Sequence, residues 1–171
     1  MSIILILLSL SVILTYVGVM ICREGIPYSI SATYYSLKHK AWFGISMWLT
    51  SLLLLPAILD RTPESIQFSA FGMCAGLLFV GAAPNFREEY ENRIHVAGTC
   101  VSAICSQIWV AVLQPWLLLI WAAWVIYVIV RMKQVWNGNL WSSFVMCKPL
   151  FWAEVIVFGM VYIILLFDYI V

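Results

Sequence analysis

The side chains best suited to chemistry in this sequence gather in two short stretches. Residues 25–45 read GIPYSISATYYSLKHKAWFGI, which sets Ser29, Ser31 and Thr33 at alternate positions ahead of Tyr34 and Tyr35. Residues 93–99 read RIHVAGT and place His95 just before Gly98 and Thr99. A serine hydroxyl becomes a nucleophile when a neighbouring base takes its proton, and histidine is the commonest such base. Ser29 or Ser31 with His95 is therefore a candidate catalytic pair for hydrolysis or group transfer on a lipid. The same groups can bind without reacting, because hydroxyls, phenols and an imidazole beside Arg93 suit a lipid phosphate. Ser29, Ser31, Tyr34, Tyr35, His95 and Thr99 form the candidate ligand-binding set. Glu154 joins it, since an ionisable residue inside an apolar span is costly and marks function by default. Its structural reading is a carboxylate reaching the interface or pairing with Lys148 or Arg131. Asp168 lies near the far end of the last apolar run, close enough to water to need no special role.

Those residues sit in a chain whose solvent is lipid. Of 171 residues, 64% are hydrophobic and 10% are charged, where a soluble domain has about half apolar and a quarter charged. A core of this size cannot absorb the excess. A helix crosses the hydrocarbon with about 20 apolar residues, and six runs qualify, at about 3–22, 41–59, 68–83, 94–113, 116–130 and 151–171. Backbone groups in lipid must be satisfied internally, and no run alternates as a barrel strand would. The expected fold is all-α: a single polytopic membrane domain, a bundle of six transmembrane helices. The first run lacks a basic n-region and a small-residue cleavage site, so it reads as a retained span rather than a signal peptide. Gln114-Pro115 divides an otherwise unbroken apolar stretch, as a turn or as a kink.

Cation placement orients the bundle. The first, third and fifth connections carry Arg23, Lys38 and Lys40, then Arg87 and Arg93, then Arg131, Lys133 and Lys148; the opposite side carries Arg61 alone. By the positive-inside rule the odd connections face the cytoplasm and both termini lie on the non-cytoplasmic side. Nearly all the non-membrane mass then lies on the cytoplasmic side, where a head group or a soluble partner would be met. Gly25-Ile26-Pro27 re-orients the chain after the first span. The hydroxyl run that follows suits a short helix on that surface, with Lys38, His39 and Lys40 against acidic head groups.

Helices in lipid associate through small residues and hydrogen bonds. Gly72-x-x-x-Gly76 is a small-residue face, and His95, Gly98, Thr99, Ser102, Ser106 and Trp109 share one face of the fourth span. Such faces offer packing within the bundle, or a contact with a second copy or a membrane-protein partner. Trp42, Trp116, Trp141 and Trp152 fall at span ends as an interfacial belt. The five cysteines show no C-x-x-C and no paired spacing, and His39, His95, Glu91 and Glu154 lack a metal-ligand spacing. No metal site, haem, nucleotide-binding fingerprint or nucleic-acid motif is expected, and no cofactor is implied.

The order of the motifs is that of a known type. PYSISATYY follows the first span, VGAAPNF ends the third and RIHVAGT opens the fourth. This resembles the bacterial six-span family labelled domain of unknown function 998. More distantly it is similar to damage-regulated autophagy modulator (DRAM) and Frag-type membrane proteins. The matching residues are Pro27, Ser29 and Ser31, then Pro84 and Asn85, then His95, Gly98 and Thr99, and the likeness covers about the first 110 residues. It implies a six-span bundle in the bacterial inner (cytoplasmic) membrane and no particular activity. Three functions stay open: a protein with a lipid-head-group site on the cytoplasmic side, a membrane-embedded lipid hydrolase or transferase, and a non-catalytic accessory subunit of a membrane complex.

Overall fold

The computed structural model describes residues 2–167, and its helices are α1 (Ser2–Glu24), α2 (Ala41–Leu59), α3 (Gln67–Ala82), α4 (Glu89–Leu113), α5 (Ile120–Gln134), α6 (Leu140–Met146) and α7 (Pro149–Phe167). Three 3₁₀ turns, Ser31–Tyr35, Glu64–Ile66 and Pro115–Leu119, join them. Six segments are long and apolar enough to cross a membrane: α1, α2, α3 with its preceding turn, α4, α5 with its preceding turn, and α7. The protein is an all-helical integral membrane bundle. Asp168 and the tail of the expected 151–171 span lie outside the described residues.

The fourth and fifth spans differ from expectation, the fifth at both ends, since α5 runs on to Gln134. The fourth helix begins at Glu89, five residues before the apolar run at 94. Its first turn carries Glu89 and Glu91, acidic groups that favour a helix N-terminus and extend it beyond hydrocarbon. The fifth helix begins at Ile120 rather than 116, because Pro115 opens a 3₁₀ turn instead. The Gln114-Pro115 break is a reversal and not a kink: Trp121 Nε1 donates to Gln107 Oε1 at 2.7 Å, across the turn. α6 was not expected. It is a short helix capped by Asn139, whose side chain accepts from the Ser142 N–H at 3.0 Å, and it exposes Leu140, Trp141 and Met146.

Hydrogen bonds show which connections share an end. At one end the Phe151 N–H donates to the Tyr28 carbonyl at 3.0 Å, Lys148 Nζ donates to the Ile26 carbonyl, and the Arg87 N–H donates to Tyr35 Oη at 2.8 Å. Residues 25–40, 83–88 and 135–148 thus meet there, and with them the Lys and Arg residues of the odd connections. At the other end Ser2 Oγ donates to Asp60 Oδ2 at 2.5 Å and Trp109 Nε1 donates to Thr62 Oγ1 at 2.8 Å. If the basic end is cytoplasmic, an impermeant thiol reagent added to intact cells labels Glu64→Cys and spares Lys38→Cys, both made without the native cysteines. The reverse pattern inverts the topology.

The bundle is held as a membrane protein must be. Lipid tails are as apolar as leucine, so close packing and polar stitches replace the hydrophobic drive between helices. Ser9 Oγ donates to the Thr50 carbonyl at 2.7 Å and lies 2.6 Å from Tyr162 Oη, joining α1, α2 and α7. Ser51 Oγ donates to the Cys74 carbonyl at 2.8 Å and Trp48 Nε1 to the Leu78 carbonyl at 3.0 Å, joining α2 to α3. α3 and α4 cross at glycines: a Cβ on Gly76 would stand 2.5 Å from the Gly98 carbonyl oxygen and one on Gly72 2.5 Å from Cys105 Sγ. The Gly72–Gly76 face is therefore spent inside the chain, and it is not open to a second copy or another membrane protein.

Candidate functional site

The segment between α1 and α2 is the longest part of the basic end outside the α-helices. Gly25, at φ +74°, ends α1 with its N–H on the Ile21 carbonyl at 2.8 Å, the left-handed cap that glycine adopts without strain. The chain then runs into the bundle, and Ser29, Ile30 and Thr33 are buried. Non-helical backbone at membrane depth needs partners from the protein, and the short polar residues supply them. Ser29 Oγ accepts the Ala32 N–H at 3.0 Å, Thr33 Oγ1 donates to the Ile30 carbonyl at 2.6 Å and also meets Tyr16 Oη, and Glu154 accepts the Ile30 N–H. The density of serine and threonine in this stretch follows from that need. The short helix expected here is a five-residue 3₁₀ turn, Ser31–Tyr35, with Thr33 buried against the bundle.

Aromatic rings extend the same scaffold across the basic end. Tyr16, Phe43, Tyr34, Tyr35, Phe86 and His95 follow one another with centroids 4.9–6.1 Å apart, edge to face except for the tilted last pair, a favoured arrangement. Lys40 Nζ lies 5.0 Å from the Tyr34 ring centre and Arg87 Cζ lies 4.1 Å from that of Tyr35. Tyr35 Oη accepts the Arg87 N–H, and burial pushes its phenol up from the ordinary tyrosine value, so it is neutral at physiological pH.

Behind this frame lies a cavity of about 910 Å³ between α4 and α7. Ser29, Ser31, Tyr35, His95, Thr99 and Glu154 all line it; Tyr34, the remaining candidate, does not. Tyr34 belongs to the aromatic frame instead. Most of the polar residues lie toward the basic end, while Leu54, Leu77, Ile108, Ala111 and Val157 line the rest together with Ser102 and with Gln107, whose Oε1 is taken by Trp121 Nε1. Val96 and Ile104 line it and are 50% and 59% exposed, so the cavity opens sideways along α4. Arg87, Asn92 and Gln107 also line it. Sequence reading used Arg87 as a cation of the third connection and did not single out Asn92 or Gln107. The only signal that Arg87 and Asn92 border the site was their place in the connection and helix turn just before His95.

Within the cavity the candidate pair is not assembled as a nucleophile and base. His95 is buried, and its Nδ1 donates to the Ala83 carbonyl at 3.0 Å, with the Val80 backbone also beside the ring. Ser29 Oγ is engaged by the Ala32 N–H. Among the described residues neither Ser29 nor Ser31 hydrogen-bonds His95, although all three face the same space. Thr99 Oγ1 donates back to the His95 carbonyl at 2.8 Å. Glu154 does not pair with Lys148 or Arg131: Lys148 is held on the Ile26 carbonyl and Arg131 on Gln134 Oε1.

The position of His95 predicts a stability effect. His95→Ala leaves the Ala83 carbonyl without its donor and removes the ring that packs on Phe86, at a cost of about 1–3 kcal/mol. His95→Gln, which keeps a donor, recovers part of it. Denaturation in mixed micelles reads both, and an unchanged His95→Ala midpoint would free the histidine from a packing role.

Fold and cavity together define a six-span helical membrane protein with a laterally open, polar-mouthed internal site. Set against protein-family models, curated proteins and solved structures, the chain finds no match. The resemblance to the six-span family labelled domain of unknown function 998 rests on the quoted motifs.

Proposed function

We propose that this protein binds a membrane lipid, with the head group at the polar mouth on the basic end and an acyl chain in the apolar depth between α4 and α7. The observation that carries this reading is the cavity itself: polar at one end, mostly apolar beyond, and open to the side. Its volume lies within the range of ordinary small-molecule sites, about 300–1,000 Å³, and its basic rim suits an anionic phosphate. The positive-inside rule supports a cytoplasmic position for that end, and the motif resemblance supports a bacterial inner membrane; both are part of the proposal. Binding is favoured over lipid hydrolysis because His95 Nδ1 is held on the Ala83 carbonyl and neither Ser29 nor Ser31 hydrogen-bonds the histidine among the described residues. It is favoured over an accessory role because the Gly72–Gly76 face is already covered by α4.

A photoactivatable residue tests it. Placed at Val157, inside the cavity, it captures lipid that persists through exchange into detergent. Placed at Leu52, on the exposed surface of α2, it captures only lipid that detergent removes. Equal behaviour at the two positions sinks the reading.

A further inference from the structure

The lipid site just proposed contains a charge pattern that selects among head groups. Glu154 lies about one turn into α7 and lines the cavity. Its Oε2 accepts the Ile30 N–H. Its other oxygen receives no hydrogen bond from the described residues, yet it is not an enclosed orphan, since Thr50 Oγ1 alone has that status among them. That oxygen is open to the cavity. A carboxylate at this depth is costly unless a cation or donors answer it, and the cations nearest in sequence, Lys148 and Arg131, are turned to other acceptors. Among the described residues, the one Lys or Arg side chain on the cavity wall is Arg87, in the connection before α4 and exposed at the mouth. The wall thus presents one negative group within the bundle and one positive group at the rim.

Resting on the lipid-binding reading, we infer that the head group is zwitterionic, with a primary ammonium donated to Glu154 and a phosphate held toward Arg87. A primary ammonium carries three N–H donors and fits a carboxylate oxygen that has room for one more hydrogen bond. A trimethylammonium carries the same charge and no donor, so it forfeits the hydrogen bond. A glycerol head group supplies hydroxyls and no cation. Ser31, on the same wall and without a hydrogen bond of its own among the described residues, is the neighbouring hydroxyl that a phosphate or amine would meet.

Purified protein in dodecyl maltoside, titrated with phosphatidylethanolamine, phosphatidylcholine or phosphatidylglycerol of identical acyl chains and read by native mass spectrometry, tests the assignment. Phosphatidylethanolamine should bind about tenfold more tightly than either of the others, the worth of one charge-assisted hydrogen bond. Glu154→Gln keeps an amide oxygen for the Ile30 N–H, so the fold is retained, and it should erase that preference. Arg87→Gln, an exposed change, should weaken all three lipids alike and leave the preference standing. Binding of all three with equal strength overturns the head-group assignment and leaves the lipid-binding reading intact. A preference that survives Glu154→Gln also overturns it. Absence of binding by all three overturns both.

Discussion

Ala153→Trp is expected to lower lipid affinity by a factor of about 10–100 while leaving the melting temperature unchanged or raised. Ala153 lines the cavity on α7, one residue before Glu154 and one helical turn from Val157. The space beside it has room for an indole, and filling a cavity commonly stabilises a protein. The hydrophobic effect does not supply the affinity here, because an acyl chain leaves one apolar medium for another. What binds is the fit of the chain between α4 and α7 together with the head-group contacts. An indole in that gap makes the chain compete for space, and overpacking of this kind costs about 1–3 kcal/mol, or the stated factor. The readout is the native mass spectrometric titration with a single lipid, alongside a melting curve. Wild-type affinity in a folded Ala153→Trp protein would place the acyl chain elsewhere and remove the basis of the functional proposal.

Gly98→Leu is expected to cost about 3 kcal/mol or more and to reduce the yield of folded protein sharply. A Cβ at position 98 would stand 2.8 Å from the Gly76 carbonyl oxygen and 2.9 Å from Phe79 Cβ; one at position 76 would stand 2.6 Å from the Ser102 nitrogen. The atoms in the way are mostly backbone, so no rotamer change relieves them and the two helices must separate. That separation would also displace His95, one turn before Gly98, from the Ala83 carbonyl. Gly18 and Gly159 provide the control, since a Cβ on either meets nothing within 4 Å. Leucine at those positions should shift stability by no more than about 0.5 kcal/mol. Unfolding by increasing fractions of sodium dodecyl sulfate separates the two classes. A Gly98→Leu midpoint equal to that of Gly18→Leu would mean that α3 and α4 do not cross at these glycines.

Much of the architecture was legible because the bilayer imposes simple rules. A span must be long and apolar, so composition alone located six of them, and runs of small residues marked where helices approach. The Gly72-x-x-x-Gly76 pattern identified a close crossing but could not name its partner, because a small-residue face fits a neighbour in the same chain or in another equally well. Only the packed bundle gives it to α4. The break at Gln114-Pro115 was legible from the proline, but its form as a 3₁₀ turn was not, and the helix α6 escaped notice altogether, for a related reason: each depends on local hydrogen bonds, from Trp121 to Gln107 and from Ser142 to Asn139, that hydropathy does not record.

The candidate site divides in the same way. Sequence by itself determined that Ser29, Ser31, Tyr35, His95, Thr99 and Glu154 belong to the end of the bundle rich in Lys and Arg, since each lies near the same end of its span. Tertiary structure alone decided that they face one cavity, that Tyr34 turns away into the aromatic frame, and that His95 and Ser29 serve backbone partners instead of each other. Depth along a span follows from counting residues at 1.5 Å per step. Direction around it depends on how α3, α4 and α7 rotate against one another, and that is set by glycine contacts and hydrogen bonds between residues up to 153 positions apart in the chain.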